Sequence, residues 1–589
     1  MASFFKSFFA CLLAIVVSGF IGFMLLIGVA GAFTALLSSK TVAVPSGSVL
    51  KITLAEPVQD NPQINIFKSF NLSTMSVSRP LALLDVLNAI EIAKNDPNIS
   101  GVYLELSPMM SVGTATLEEI RNALIDFRSS GKFIVSYNDT YTQATYYLSS
   151  VADRIYLNPA GGLAWQGMAA QALFFKGTLD KLGVEPEIIR HGKYKSAIEP
   201  YTSDKMSPEN REQTESLVHA VWDNVVAGVS EARGIAPAAL QQYASQLEVT
   251  SPEQALEAGM IDAIAYKDEV SDYIESMVAD YNAVSLVDYT YNRGSSADMK
   301  GGSKNGVAVI YAEGNIVDGD NGDGVIASAR LSRQLRSARE NDDIKAVVLR
   351  VNSPGGSALA AEVIWREAQL LQQEKPLVVS MGDYAASGGY YISVPADAIL
   401  ASPSTITGSI GVFGVLFNAE KGLSDKLGIT SDVARTNPAA DMGTFLRPLS
   451  PMERANLESS VERTYTMFVS HVAEGRNMTV PAVDDIAQGR VWSGVQASQN
   501  GLIDGFGGIK DAIALAADRA GVAADFQVVP VLDEVSSIGQ LFGAMVEAKE
   551  GWLGGNRLEE PLYRNYRHIM NVLEGAPIQT VLPYTLIFY

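Results

Sequence analysis

The sequence predicts an α/β protein built as two tandem domains rich in βαβ units, placed behind one membrane-spanning helix. Three observations predict it. Short apolar runs of strand character alternate with segments of helical period; landmarks of the first half return in the second, 242 to 245 positions later; and Phe8 to Leu37 is almost wholly apolar. At 589 residues the chain is too long for a single core, so more than one domain is expected from size alone.

The apolar run comes first. Between Lys6 and Lys40 no residue is charged, and the run exceeds the roughly 20 residues a spanning helix needs. A cleaved leader has an apolar core of about 7–15 residues, so this length favours a retained anchor spanning 8–37, although Val29-Ala30-Gly31-Ala32 also offers small residues for cleavage. Only Lys6 flanks the run on its N-terminal side, and a long following segment is translocated largely regardless of its charge. The bulk of the chain is therefore expected outside the cytoplasm. The single cysteine, Cys11, falls inside the run, so the rest can be neither disulfide-stapled nor a cysteine enzyme. A net charge of −21 without a basic cluster argues against nucleic acid as a partner.

After the anchor (1–46), Val49–Leu54 reads as a strand, Leu81–Lys94 as a helix and Gly101–Leu106 as a strand. A helix at Thr116–Arg128, a strand at Lys132–Ser136, a helix at Gln143–Val151 and a strand at Arg154–Leu157 follow. Strands alternating with helices imply right-handed crossovers and a largely parallel sheet. The first domain is placed at 47–292, and the polar, glycine-rich stretch 293–305 reads as a linker. The second domain, 306–535, repeats the first. Val135-Ser136 and Val379-Ser380, Tyr146-Tyr147 and Tyr390-Tyr391, Asp153 and Asp397, and Pro159 and Pro403 are each 244 apart. Asp180-Lys-Leu-Gly183 and Asp425-Lys-Leu-Gly428 are 245 apart, Arg233 and Arg476 are 243 apart, and Asp262 and Asp504 are 242 apart. So slow a drift marks a duplicated domain. In the tail, 536–589, Tyr563–Leu573 has the spacing of an amphipathic helix, and the apolar Thr580–Tyr589 is expected against a neighbouring chain, the membrane surface or the core.

Chemistry is expected where the copies differ. Thr407-Gly-Ser-Ile-Gly411 sets Ser409 between glycines, where the backbone can turn sharply. The turn after Val347–Val351, Ser353-Pro-Gly-Gly-Ser357, can present N–H groups to an oxyanion. Position 165, which is 244 before Ser409, holds a tryptophan, so the first copy has no nucleophile there. Conversely, Lys193 and Lys195 have Pro438 and Ala440 as counterparts 245 later. One copy keeps a serine and the other keeps lysines, as expected of one site assembled from both. A serine hydroxyl needs a base. Of the four histidines only His191, four residues before Lys195, offers itself. A lysine serves when burial leaves its amine neutral, and Lys195, followed by Ser196-Ala197-Ile198, suits burial better than Lys193. Ser353 and Ser387 stand as alternative nucleophiles. Apolar Val412 and Phe413, beside Ile410, are expected to form pockets for an extended apolar peptide.

Together, Ser353-Pro-Gly-Gly-Ser357, Ala386-Ser-Gly-Gly-Tyr-Tyr391, Thr407-Gly-Ser-Ile-Gly411 and Gly192-Lys-Tyr-Lys-Ser196 resemble the signal peptide peptidase A (protease IV) family in its long two-repeat form. The resemblance runs from the anchor to roughly Ala520. It implies a ClpP/crotonase-like fold for each repeat and a serine peptidase that needs no cofactor or metal. The expected setting is the bacterial inner membrane with the catalytic part on the periplasmic side, in a dome-like tetramer that degrades cleaved signal peptides and other short hydrophobic peptides. It implies Ser409 as nucleophile, Lys195 as general base and oxyanion N–H groups from Gly355 or Gly356 and from Ile410. A second hydroxyl is implied to hold the lysine amine, and distance along the chain assigns it to Ser431. Two competing readings share the fold or the sequence: a crotonase-like acyl-transfer enzyme, which the extracytoplasmic location disfavours, and a catalytically silent membrane scaffold.

Overall fold

Parallel strands wound with helices form each half of the protein in the computed structural model. It describes residues 44–60, 70–71, 76–77, 81–278, 280–290, 303–320, 324–531 and 578–581. The expected anchor lies outside these residues, as do most of the linker and most of the tail, including 563–573. Among the described residues no helix is long and apolar enough to cross a membrane.

The first half runs β1 (Ser48–Ile52), α1 (Leu83–Asn95), β2 (Ile99–Leu104), α2 (Thr114–Arg128), β3 (Phe133–Tyr141), α3 (Gln143–Ser149), β4 (Arg154–Leu163), β5 (Glu185–His191), α4 (Pro208–Arg233), β6 (Ala263–Ile264) and β7 (Asn282–Ser285). Its sheet has the order β6-β4-β3-β2-β1-β7, and every pair in it is parallel. The second half runs β8 (Gly306–Glu313), β9 (Asn315–Val317), β10 (Val325–Ala327), α5 (Ser328–Glu340), β11 (Ile344–Ser353), β12 (Gly355–Ser357), α6 (Ala358–Gln372), β13 (Leu377–Ala386), α7 (Gly388–Ser393), β14 (Ala398–Ala401), β15 (Ile406–Gly408) and β16 (Val412–Asn418). It continues through α8 (Pro451–Gly475), β17 (Val491–Ser493), β18 (Gly505–Phe506), α9 (Ile509–Arg519) and β19 (Gln527–Pro530). Its sheet order is β17-β15-β13-β11-β8-β19, with β14 also paired to β13 and β18 paired to β14. The apolar run Ala346–Leu349 is fully buried, as expected of a parallel strand covered on both faces.

The duplication is repeated in the bonding. Tyr146 Oη donates to the Met260 carbonyl at 2.8 Å and Tyr390 Oη to the Leu502 carbonyl at 2.9 Å. Arg233 pairs with Asp262 and Arg476 with Asp504, both at 2.9 Å. Each aspartate also accepts an N–H of a sheet strand, from Ile155 or Ile399, at 2.8 Å.

Two features join the halves. The apolar core of the first continues into Val307, Val309, Val348, Val378 and Ile509 of the second, and the polar groups at that boundary are paired. Arg350, fully buried, donates to Asp60 at 2.8 Å and to Ser380 at 2.8 Å, with Glu119 on its other side. Thr116 at the start of α2 donates its N–H and hydroxyl to Asp383 at 3.1 and 2.9 Å. The second feature is a third sheet, ordered β10-β9-β12-β20-β16-β5, where β20 is Ile578–Val581. In it β5 of the first half runs antiparallel to β16 of the second, from His191 opposite Val412 to Glu185 opposite Asn418.

Candidate active site

The site forms where β15 leaves the second sheet. Ser409 takes a left-handed backbone with φ of 52°, which costs a residue with a side chain of order 1 kcal/mol or more unless its neighbours hold it. They do: the Ser409 N–H donates to the Arg490 carbonyl at 2.7 Å, and the Ile410 carbonyl accepts from Gly489 N–H at 2.8 Å. The turn is thus laced to the 489–490 backbone on both sides. A side chain at Gly489 would lie 2.7 Å from Lys195 Cβ, so this lacing also requires a glycine where the lysine passes.

The lysine arrives from the other half. Pairing of β5 with β16 brings His191 level with Val412, the chain turns at Gly192, and Tyr194 N–H donates to the Gln488 carbonyl at 2.9 Å. On α4, Gln213 donates to the Tyr194 carbonyl and accepts from Val491 N–H, at 3.0 and 3.2 Å, tying the lysine segment to β17. Lys195 is fully buried. Its Nζ lies 3.0 Å from Ser409 Oγ, 3.1 Å from the Ser409 carbonyl and 2.8 Å from Ser387 Oγ. Burial, with no carboxylate to offset it, holds the amine well below the usual lysine range. The three partners suit a neutral amine: two N–H groups donate to Ser387 Oγ and the Ser409 carbonyl, and the lone pair faces the Ser409 hydroxyl.

The second hydroxyl at the amine is that of Ser387, and this corrects the expectation for Ser431. Past β16 the chain turns away through Gly422–Lys426, and Ser431 lies exposed on the following segment. Ser387 precedes α7 in a strained conformation, φ 57° and ψ −113°, held by its N–H donating to the Gly408 carbonyl at 2.8 Å. The strain aims its hydroxyl at the lysine. Ser387 lies within Ala386-Ser-Gly-Gly-Tyr-Tyr391, but nothing in the sequence says that its hydroxyl, rather than the glycines after it, meets Lys195. Gly489 and Gln213 carried no sequence signal, because their part is played by backbone and amide groups far along the chain.

The other expected residues are distributed as follows. The Gly355 N–H donates to Ser353 Oγ at 3.1 Å, and that hydroxyl donates to the Gly314 carbonyl at 2.7 Å. The Gly355 donor is therefore taken up within the turn, and Ser353 serves the turn rather than a reaction. Gly356 lies in β12, and Ile410 directly follows Ser409. Val412 does not line a pocket, because its side chain belongs to the core of the second half. Phe413 is likewise buried, in a small cluster with Ala197, Ile198, Tyr201 and Val415 beside the lysine turn. His191 is engaged elsewhere, with Nδ1 2.7 Å from Glu462 and its ring stacked on Tyr465 at 3.6 Å. Lys193 is exposed, 5.2 Å from the centre of the Tyr194 ring.

Comparison with known proteins gives the class of this arrangement. The model of peptidase family S49 matches residues 126–279 and 369–523, one span in each half. The chain is 41% identical to Protease 4 of Salmonella typhi over 453 residues, 74% of this chain and 72% of that protein. It is 34% identical to Protease 4 of Haemophilus influenzae over 510 residues, 84% and 82% of the two chains. It is 36% identical to the chloroplastic serine protease SPPA of Arabidopsis thaliana over 498 residues, 83% of this chain and 71% of that one. What these matches define is a serine peptidase with its family domain present twice. The chain belongs to peptidase family S49.

Proposed function

We propose that this protein is a membrane-anchored serine endopeptidase in which Ser409 is the nucleophile and Lys195 the general base, and that it degrades cleaved signal peptides and other short hydrophobic peptides. The observation that carries the reading is the 3.0 Å approach of Lys195 Nζ to Ser409 Oγ in a buried setting supplied by both halves. Neutral Lys195 takes the hydroxyl proton as Ser409 Oγ bonds to the scissile carbonyl carbon. The oxygen of the tetrahedral adduct becomes an oxyanion, to which the N–H groups of Gly356 and Ile410 are assigned. Lys195 then gives its proton to the leaving amine, the C–N bond breaks and an acyl-enzyme remains. Water, deprotonated by the same amine, releases the second product and restores the serine. Ser387 holds the amine in line throughout.

The apolar run at 8–37 supports the anchor, with the catalytic halves on the extracytoplasmic side of the bacterial inner membrane. The two wound parallel sheets support a ClpP/crotonase-like reading of each repeat, and the family resemblance supports a tetramer. A serine-directed fluorophosphonate tests the chemistry: labelling at Ser409, lost in Lys195→Ala, is expected. Labelling at Ser387 or Ser353 instead would sink this assignment. Resistance of the full chain to extraction from membranes by alkaline carbonate is expected, and release into the supernatant would remove the anchor.

A further inference from the structure

The first turns of α2, in the first repeat, put three polar side chains into the second. Thr116 holds Asp383, and Glu119 faces Arg350 and accepts the Ile509 N–H at 2.8 Å. Between them Glu118 crosses the same boundary. Its carboxylate accepts from Ser404 Oγ and from Asn224 Nδ2 of α4, with the Ser404 N–H further off at 3.4 Å. Asn224 also donates to Ser404 Oγ at 2.9 Å, and Glu118 and Ser404 are both buried. Glu362, 244 positions after Glu118, stays within its own repeat, accepting from Tyr391 Oη at 2.5 Å and pairing with His471 at 3.1 Å. The crossing contact therefore belongs to the first copy and does not come with the fold.

What α2 holds leads directly to the two hydroxyls at the lysine. Ser387 follows Asp383 by four residues, and Ser409 follows Ser404 by five. The turn containing Ser404 is bonded to β13: Thr405 Oγ1 accepts the Ser402 N–H at 3.0 Å and donates to the Gly382 carbonyl at 2.9 Å. From there β13 and β15 run paired, Tyr384 opposite Ile406 and Ala386 opposite Gly408, and the Ser387 N–H closes the pair on the Gly408 carbonyl. A displacement of Ser404 is thus passed along joined backbone to both Ser387 and Ser409.

We infer that Glu118 is a positioning residue for the reaction: by holding Ser404 across the boundary between the repeats, it sets the Ser387 and Ser409 hydroxyls in place around Lys195. This rests on the Ser409–Lys195 reading of the site. The partners also dictate a pH dependence. Each of them donates, which suits an ionised carboxylate, whereas a protonated one must turn its own O–H toward a donor. Burial pushes the Glu118 carboxyl up to about 7. Asp383 on β13, itself pushed up by burial, adds to that rise, and Arg121 one turn further along α2 and Tyr147 on α3 face the same carboxyl, with Glu231 of α4 beyond Arg121. Ionisation near neutrality replaces ordinary hydrogen bonds by charge-assisted ones, so Ser404 is held more firmly as pH rises.

The test compares kcat/KM of full-length wild type and Glu118→Gln for an apolar fluorogenic peptide, from about pH 5.5 to 9, as a ratio that cancels the Lys195 titration both share. The amide stands in for the protonated acid. The ratio should therefore be near 1 at the acid end and about 5–10 at the alkaline end, carried by kcat and not KM, with its midpoint near pH 7. Ser404→Ala should lower the alkaline rate by as much, and adding Glu118→Gln to it should change little further. A ratio that does not vary with pH, however slow the variant, makes Glu118 a packing residue and overturns the inference. So does a step that survives in Glu118→Gln and disappears in Asp383→Asn. Hydrogen exchange at pH 8 gives a second readout, and Ser404→Ala carries it if Glu118→Gln does not fold. The Ser387 and Ser409 N–H groups should exchange faster than in wild type, and equal protection overturns the inference too. Absence of fluorophosphonate labelling at Ser409 in wild type would instead refute the dyad, and the exchange experiment, which needs no catalysis, then decides the role of Glu118 by itself.

Discussion

Where the second repeat has Ser409, the first has Trp165, buried, with its indole N–H donating to the Leu240 carbonyl at 2.8 Å and its ring against Tyr146 and Trp222. Where the second has Ser387, 244 positions earlier the first has Gln143. The Gln143 side-chain oxygen accepts the N–H groups of Gln166 and Gly167 at 2.8 and 2.7 Å. Those N–H groups correspond to Ile410 and Gly411, the residues just after Ser409. The first repeat has therefore filled the hole with an aromatic ring and answered its backbone donors with an amide. The second keeps small hydroxyls and a buried amine there. The scaffold around both is the same, down to the tyrosine and Arg–Asp bonds, so the repeats differ in what occupies that one spot rather than in the surrounding fold.

The largest expected effect breaks the comparison at its centre. Ser409→Ala and Lys195→Ala should each lower kcat/KM by about a thousandfold or more, and the double variant should be no worse, since groups acting as one unit fail together. Circular dichroism should be unchanged in all three. Trp165→Ala should create a cavity that costs about 3–5 kcal/mol in denaturant unfolding and yet leave kcat of the folded protein near normal, which would confirm that the first repeat's turn is core alone. Ser387→Ala should cost about 10- to 100-fold, mainly in kcat. Ser387→Gly should be as poorly active but about 1 kcal/mol more stable than Ser387→Ala, because glycine adopts the left-handed backbone without strain.

The pH dependence sharpens the same contrast. Burial depresses the Lys195 pKa, so log kcat/KM should rise with pH and level off above a value well below about 10.4, the ordinary lysine pKa. Between those two values the unfolded chain binds a proton that the folded one does not, and Lys195 makes stability rise with pH across that window. Thermal melts of wild type and Lys195→Met should therefore move in favour of wild type as pH increases. A flat difference would mean that the amine is charged in the folded protein. The smallest effect is expected for Lys193→Ala, within about twofold of wild type, because an exposed cation over a ring contributes little.

The alternation of elements and the slow drift of the duplicated landmarks were legible because parallel strands and crossover helices carry strong periodic signals. Ser409 and Lys195 were legible for a different reason: each is present in one copy and absent from the other. Ser431 was misassigned because distance along the chain says nothing about direction once β16 ends, whereas Ser387 is aimed by a backbone strain that no residue type announces. Val412 and Phe413 read as pocket residues because apolar positions beside a site look the same in sequence whether they face a ligand or a core. The union of the halves through β5, and the strand at 578–581, were invisible, since pairing between segments so far apart leaves no local pattern.

The lacing of the Ser409 turn to the 489–490 backbone, against which Lys195 packs, has a consequence for the protein's synthesis. The chain is made from the N-terminus, so the whole first repeat has been synthesised while Lys195 still lacks the walls that Gly411 and Gly489 later provide. In water that amine is protonated and cannot act as a base. Ser409, made later, has no clamp until Arg490 follows. On the proposed mechanism the hydrolytic centre is therefore assembled only after about five-sixths of the chain, up to Arg490, has been made, and a product truncated before that point lacks it.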